Sequence, residues 1–299
     1  MNVSPITDWT RNEPDASISR MAFLKDNPAV FGPNPTGKIR TIIFQDHQTP
    51  KIGARLDISA YKSGRVSAYL SRDSATLYIG ADGGINIGEH GYSLFSGLES
   101  LEEIIFENNS FHTDKSDDFS CMFKGCKSLR SLSLSGFRTS KVKSFEGMFS
   151  GCESLKELDL SGFDVTNSTG FSGMFSGCKS LAKLELGDFQ IHRAVQWAKY
   201  FDERCDSVWF RVPPRISEMF SGCESLESLD LRSFSTRDVN HFTAMFENCR
   251  CLKTLQLSKY FVVRSDAKTD RMFAGCDSLD KAALPLALTP KQAEAAGLA

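Results

Sequence analysis

Between Ser144 and Phe163 the chain reads SFEGMFSGCESLKELDLSGF, and its apolar positions change period part-way. Phe145, Met148, Phe149 and Cys152 stand at i, i+3, i+4 and i+7, the spacing of one face of a short helix. Leu155 follows as a corner. Leu158 and Leu160 then alternate around Asp159, the period-two signature of a strand with one buried face. Gly162 loosens the backbone and Phe163 returns to the core. The pattern predicts a unit of short helix, tight corner, short strand and loop.

The unit recurs. An apolar residue precedes Phe at Leu94-Phe95, Met122-Phe123, Met148-Phe149, Met174-Phe175, Met219-Phe220, Met245-Phe246 and Met272-Phe273. A recurrence of roughly 26 residues lies in the range where self-similarity marks a stacked array. A leucine column follows the pairs at Leu129, Leu155, Leu181, Leu226, Leu252 and Leu279. Strand pairs follow at Leu132/Leu134, Leu158/Leu160, Leu184/Leu186, Leu229/Leu231 and Leu255/Leu257. A closing aromatic column is expected at Phe137, Phe163, Phe189, Phe234 and Tyr260. One unit alone cannot bury this apolar set, but stacked units can, with strands ~4.8 Å apart in a parallel ladder. Most residues then serve stacking, which lowers the expectation of catalysis.

The stretch GMFSGCESLKELDLSGFDVTNSTGFSGMFSGCKSL resembles the repeat of the BspA-like leucine-rich-repeat surface proteins, MFxGCxSLxxLxLSxFxTSxVTxMxxMF. The resemblance runs from Leu94 to about Leu279 and is nearly residue for residue between Met148 and Leu186. A weaker similarity covers Ala54 to Phe95. The resemblance implies an α/β repeat: a leucine-rich-repeat-like, right-handed solenoid with a short helix and a short parallel strand per coil. It implies a binding role, often bacterial or protist adhesion at a cell surface or after secretion, and no catalytic residues. Two departures from surface members make the cytoplasm the alternative compartment. The opening MNVSPITDWTRNEPD has no basic n-region and no apolar h-region, and Leu284-Pro285-Leu286 lacks the Thr-Gly of a wall anchor.

The expected organisation is an irregular segment over residues 1–36, a β-rich N-terminal cap over 37–93, the repeat array over 94–280, and a C-terminal cap or tail over 281–299. Lys38 to Phe44 alternates toward a strand, Val66–Leu70 and Thr76–Ile79 suggest a hairpin, and Asp82-Gly83-Gly84 supplies a turn. Thr289-Pro290 has the form of a helix N-cap with Pro at the first position. Met174 and Met219 are farther apart than one repeat, so about 19 residues are inserted at about 190–215. There Ala194, Trp197, Ala198, Phe201 and Cys205 fit one helical face, and Val208 to Val212 suggest a strand that Pro213-Pro214 stops. The insertion holds Arg193, Trp197, Tyr200, Arg204, Trp209 and Arg211, the residue types enriched at interface hot spots, and so is a candidate binding element.

A second candidate surface is the outward strand row, with Glu157, Asp159, Glu185 and Asp230 forming its acidic middle and Ser133, Gln256 and Ile105 at its ends. The formal net charge of −2 argues against a broad electrostatic grip on nucleic acid or anionic lipid. No apolar run is long enough to insert into a membrane. Nine cysteines include six at one repeat position (Cys126, Cys152, Cys178, Cys223, Cys249, Cys276) and no CxxC pair. A column of buried thiols is therefore expected, without a zinc site or a disulfide framework. No nucleophile elbow, P-loop, HExxH or dinucleotide fingerprint is present, and Gly80 to Gly88 has a hairpin's spacing. Asn108 and Asn167 head sequons that matter only in an exported, glycosylating context. The expected function is non-catalytic recognition of a protein or glycan, with no cofactor and no metal. The alternatives are an intracellular recognition subunit of a larger assembly and, less favoured, an enzyme with its site in residues 1–93.

Overall fold

The computed structural model describes residues 36–47, 55–57, 66–87, 91–108, 110–191, 196–202 and 205–298, with the strands at 55–57 and 196–212 given by backbone alone. The irregular segment expected over 1–36 lies almost wholly outside the described residues, as do Arg193 and Arg204.

The Met-Phe side of each repeat is a run of tight turns, and no α-helix occurs there. The helix expected in every coil is thus corrected. In the repeat at 145–152, Met148 N–H donates to Phe145 O (3.1 Å) and Cys152 N–H to Phe149 O (3.0 Å). The alternate N–H groups turn sideways instead. Those of Phe145, Gly147, Phe149 and Gly151 reach Gly170, Ser172, Met174 and Ser176 carbonyls of the next repeat at 2.7–2.9 Å. The cause is backbone hand: Gly147 and Gly151 have φ of +61° and +74°, which a right-handed helix cannot contain. Successive turns with a left-handed residue at each corner bury i, i+3, i+4 and i+7 just as a helix does. The cue was masked because Ser93, Cys121, Glu218, Ala244 and Arg271 occupy the position of Gly147 in other repeats, at φ of 54–58°. A left-handed L-residue costs roughly 1–2 kcal/mol, so the inter-repeat bonds must over-determine these corners.

Inside this wall stand two columns. Phe95, Phe123, Phe149, Phe175, Phe220, Phe246 and Phe273 stack face to face, with successive centroids 5.2–5.7 Å apart and planes within 9°. Beside them run the six expected buried thiols. Each Sγ donates to the carbonyl of the Phe one repeat earlier, from Cys126 to Phe95 O (3.1 Å) through Cys276 to Phe246 O (3.0 Å). The leucine column is buried throughout. At the third corner side chains replace the main-chain ladder. Thr139 Oγ1 donates to Asp164 O (3.0 Å) and accepts from Asp164 N–H (2.8 Å), and Thr113 and Thr236 bridge to Arg138 and Val262 in the same way. In the repeat of Met245-Phe246 the closing aromatic is Phe261 (4% exposed), not the expected Tyr260 (42%). The turn there starts one residue later, at Ser258.

The leucine pairs form the strand side. At the N-terminal end β1 (Thr41–Gln45), β2 (Arg55–Asp57), β3 (Val66–Leu70) and β4 (Thr76–Ala81) share a sheet with two repeat strands, β6 (Glu103–Phe106) and β8 (Ser131–Leu132), in the order β2-β3-β4-β1-β6-β8. The hairpin expected at 66–79 is present as β3 and β4, and β1 lies parallel to both β4 and β6. β5 (Ile85–Asn86) pairs with β7 (Phe111–His112). Farther on, β9 (Glu157–Asp159) pairs with β10 (Lys183–Glu185), and β13 (Ser228–Leu231) with β14 (Thr254–Leu257), all parallel. The continuous ladder that was expected is interrupted twice: β8 does not pair with β9, nor β10 with β13.

The insertion is a hairpin, β11 (Gln196–Asp202) antiparallel to β12 (Cys205–Val212), in a sheet of its own. The helical face expected from Ala194 to Cys205 is corrected. The second run supplies a pairing partner, and the aromatic and β-branched content of QWAKYFD and CDSVWFRV favours strands once that partner exists. The turn side ignores the excursion: Phe171, Gly173, Phe175 and Gly177 N–H groups donate to Arg215, Ser217, Met219 and Ser221 at 2.7–2.9 Å. At the C-terminus α1 (Pro290–Ala296) begins at the Thr289 cap and ends at Gly297. Its Ala295 and Ala296 carbonyls accept from Arg271 and Phe273 N–H at 2.7 and 2.8 Å, where a further repeat would otherwise stand.

Candidate functional site

A trough of about 1020 Å³ crosses the strand side from β6 to β10. Its shape follows from what each repeat places outward. The first contributes outward Ile105 and the accessible side of Phe106, whose ring packs on Phe44, Phe111 and Phe137, as an apolar wall. The second places Ser131, Ser133, Ser135 and Gly136 as a low floor, with half-buried Leu132 and exposed Arg130 also in the lining. The third and fourth raise a charged wall of Glu157, Asp159, Lys183 and Glu185, all exposed. The floor coincides with the missing pairing between β8 and β9. No main-chain hydrogen bond joins these two strands among the described residues; Ser154 N–H to Lys127 O (3.0 Å), at the preceding corner, is the nearest link.

The charges differ in availability. Asp230 is held by Arg232 in a two-pronged pair (2.6–3.0 Å), which keeps its carboxyl below the usual carboxylate range, and it lies outside the trough. Glu185 has Lys183 at 3.7 Å, and Arg130 leans to Glu102 at 3.5 Å. Asp159 is held below its ordinary value by the Ser161 hydroxyl and then by the Ser161 N–H (2.8 Å), so it is ionised at neutral pH. Glu103, Glu157 and Asp159 have no ion-pair partner among the described residues, against one unpaired ammonium, Lys156. The trough therefore offers carboxylate acceptors and serine hydroxyls beside an apolar wall.

Of the strand-face residues singled out from sequence, Glu157, Asp159 and Glu185 come together in the trough and Asp230 does not. Alternation around the leucines was enough to place them outward. Ser133 and Ile105 were placed on the same row, whereas Arg130, Lys156, Phe106, Ser131 and Ser135 were missed, although RSLSLSG already shows small residues at every outward position of that repeat. In the insertion the backbone register sets Trp197 opposite Arg211, Lys199 opposite Trp209, and Tyr200 opposite Val208. Trp197, Trp209 and Arg211 thus share one face of the hairpin and Tyr200 takes the other.

Two histidines have assigned neighbours: His112 Nε2 donates to Gly83 O (2.9 Å), and His47 meets Asp46 (3.0 Å). Among the described residues no group of three His, Cys, Asp or Glu could hold a metal ion, and no helix is long and apolar enough to cross a membrane.

Residues 91–208 and 212–284, well over half of the chain, match the family described as "Mycoplasma protein of unknown function, DUF285". The chain belongs to this family. Its DUF285 match begins at Gly91, just ahead of the first left-handed corner, and is interrupted at 209–211, inside β12. No curated protein matches. Among solved structures this DUF285 chain is similar to a leucine-rich repeat protein from Bacteroides ovatus, at 14% identity over 80% of this chain with a TM-score of 0.31. The chain spans about half the length of that protein.

Proposed function

We propose that this DUF285 chain is a non-catalytic recognition module, a right-handed solenoid of the BspA-like leucine-rich-repeat kind, acting at a bacterial surface or after secretion. Its strand side receives a protein or glycan partner in the trough between β6 and β10. The observation that supports this reading most is the trough itself, a concavity between an apolar and a charged wall. The stack of rings, thiols and main-chain bonds beneath it fixes the shape before a partner arrives, so little ordering entropy is lost on binding. The inserted hairpin is a second contact element on this reading, through Trp197, Trp209 and Arg211.

A blocking substitution tests the proposal. Ser133 is exposed on the floor, and Ser133→Trp fills the trough without entering the core. A partner captured by the wild-type chain and lost by Ser133→Trp, but kept by a substitution on the opposite side such as Lys124→Ala, is the expected result. A partner held equally by all three proteins overturns the proposal.

A further inference from the structure

We infer that the occupant of the trough is an extended, basic segment of polypeptide; the inference rests on the trough being the binding surface. Three features of the lining select this class. The walls stand two repeats apart, and the outward strand residues between them are serines, with half-buried Leu132 beneath, which leaves room for one extended backbone. The hydroxyls of Ser131, Ser133 and Ser135 line the floor and offer donors and acceptors to that backbone.

The side-chain preference follows from the walls. Ile105 and Phe106 present apolar surface without a cation of their own, which suits the methylene stem of a Lys or Arg. Glu157 and Asp159 stand opposite with no ion pair among the described residues, their neighbour Lys183 being drawn to Glu185, and Glu103 also lines the trough. The hydrogen bonds from Ser161 leave Asp159 able to accept at least one further donor. A guanidinium or ammonium reaching across meets both carboxylates. An acidic segment or a nucleic acid would meet four carboxylates against three cations, and among the groups without an ion-pair partner in the described residues the carboxylates Glu103, Glu157 and Asp159 outnumber the one ammonium, Lys156, which disfavours it. A neutral glycan leaves the carboxylates without a cation and finds no fully exposed aromatic ring to stack on, since Phe111, Phe137 and Phe163 are buried and Phe106 only half-open.

The test uses the whole chain and fluorescein-labelled synthetic peptides of alternating Lys and Val, alternating Glu and Val, and alternating Ser and Val, with a neutral oligosaccharide mixture as competitor. Fluorescence anisotropy should show the Lys peptide bound, the Glu peptide unbound, and binding that weakens as salt rises. Glu157→Gln combined with Asp159→Asn should weaken the Lys peptide about tenfold, the sum of two exposed charge contacts. Ser133→Phe should abolish its binding. If the Ser peptide or the oligosaccharide binds as well as the Lys peptide and is still lost in Ser133→Phe, the trough survives as the binding surface and the basic class is wrong. If the Lys peptide binds undiminished to Ser133→Phe, or if nothing binds, the inference is overturned.

Discussion

Replacing Phe149 by Ala removes one ring from the middle of a seven-ring column. Phe149 is fully buried and lies 5.6 Å from Phe123 and 5.7 Å from Phe175, with planes 3° and 6° apart. Deleting a buried Phe side chain costs about 3–5 kcal/mol, and the value depends on how far neighbours close the void. Here they are held in place. Phe123 N–H is bonded to Met148 O (2.8 Å) and Phe149 N–H to Met174 O (2.9 Å), so the repeats above and below cannot sink toward each other. The upper half of that range, about 4–5 kcal/mol, is expected. Phe149→Leu fills most of the space but loses two ring faces, each worth about 0.5–1.5 kcal/mol, so it should cost about 1–3 kcal/mol. Urea unfolding followed by circular dichroism gives both values. Amide exchange at Gly147, Phe149 and Gly151 shows whether the loss is local, as nearest-neighbour stacking requires. An Ala variant losing less than ~1 kcal/mol would refute the rigid-column reasoning, because nothing but closure of the void could hide the cost. A Leu variant as destabilised as the Ala variant would show that volume and ring contacts were wrongly apportioned.

Three further outcomes are expected. Burial pushes the Cys126 and Cys178 thiols up to about 12, so the reactive thiolate is absent until strongly alkaline pH. Alkylation of the native protein near neutral pH should mark exposed Cys251 and spare Cys126, Cys152, Cys178 and Cys223, whose thiols burial raises, as read by peptide mass mapping; early labelling of Cys152 contradicts this. Glu218→Gly relieves a left-handed corner (φ +57°) worth roughly 1–2 kcal/mol against a glycine entropy cost of roughly 0.5–1, so the melting temperature should rise, and a fall counts against corner strain. Truncation after Ala283 removes the carbonyls that satisfy Arg271 and Phe273 N–H, and should lower the melting temperature and produce end-to-end oligomers in light scattering. A truncated chain that stays monomeric and equally stable shows that α1 does not close the stack.

Column membership was legible in the sequence because stacking repeats it. A Phe, a Cys and a Leu at fixed places in every unit have one economical explanation, and all three columns are buried as that explanation requires. What failed was local. Phe145, Met148, Phe149 and Cys152 have helical spacing, yet Gly147 and Gly151 at positive φ convert it to turns, and the glycines alone do not announce themselves when Glu218 or Arg271 holds the same post. Tyr260 and Phe261 are both aromatic, and only the position of the final turn decides which goes inward. In the insertion, Trp197 and Phe201 satisfy a helical period, but the pairing of Lys199 with Trp209 is non-local and invisible to a window that short. The outward row was half legible for the same reason. Alternation places Glu157 and Asp159 on the surface, whereas the gap between β8 and β9 that deepens the trough depends on how two repeats meet.

The main-chain bonds that run from Phe171–Gly177 directly to Arg215–Ser221 keep the spacing seen between adjoining repeats elsewhere. On the turn side the chain leaves the column after one rung and rejoins at the next as though nothing had intervened, although the strands β10 and β13 on the other side do not pair. Whatever occupies 192–212 is therefore freight for the turn side, whose rungs keep their spacing across it. A foreign loop grafted between Ile191 and Pro213 inherits a rigid mounting, and a natural one can drift in sequence without loosening the scaffold that presents it.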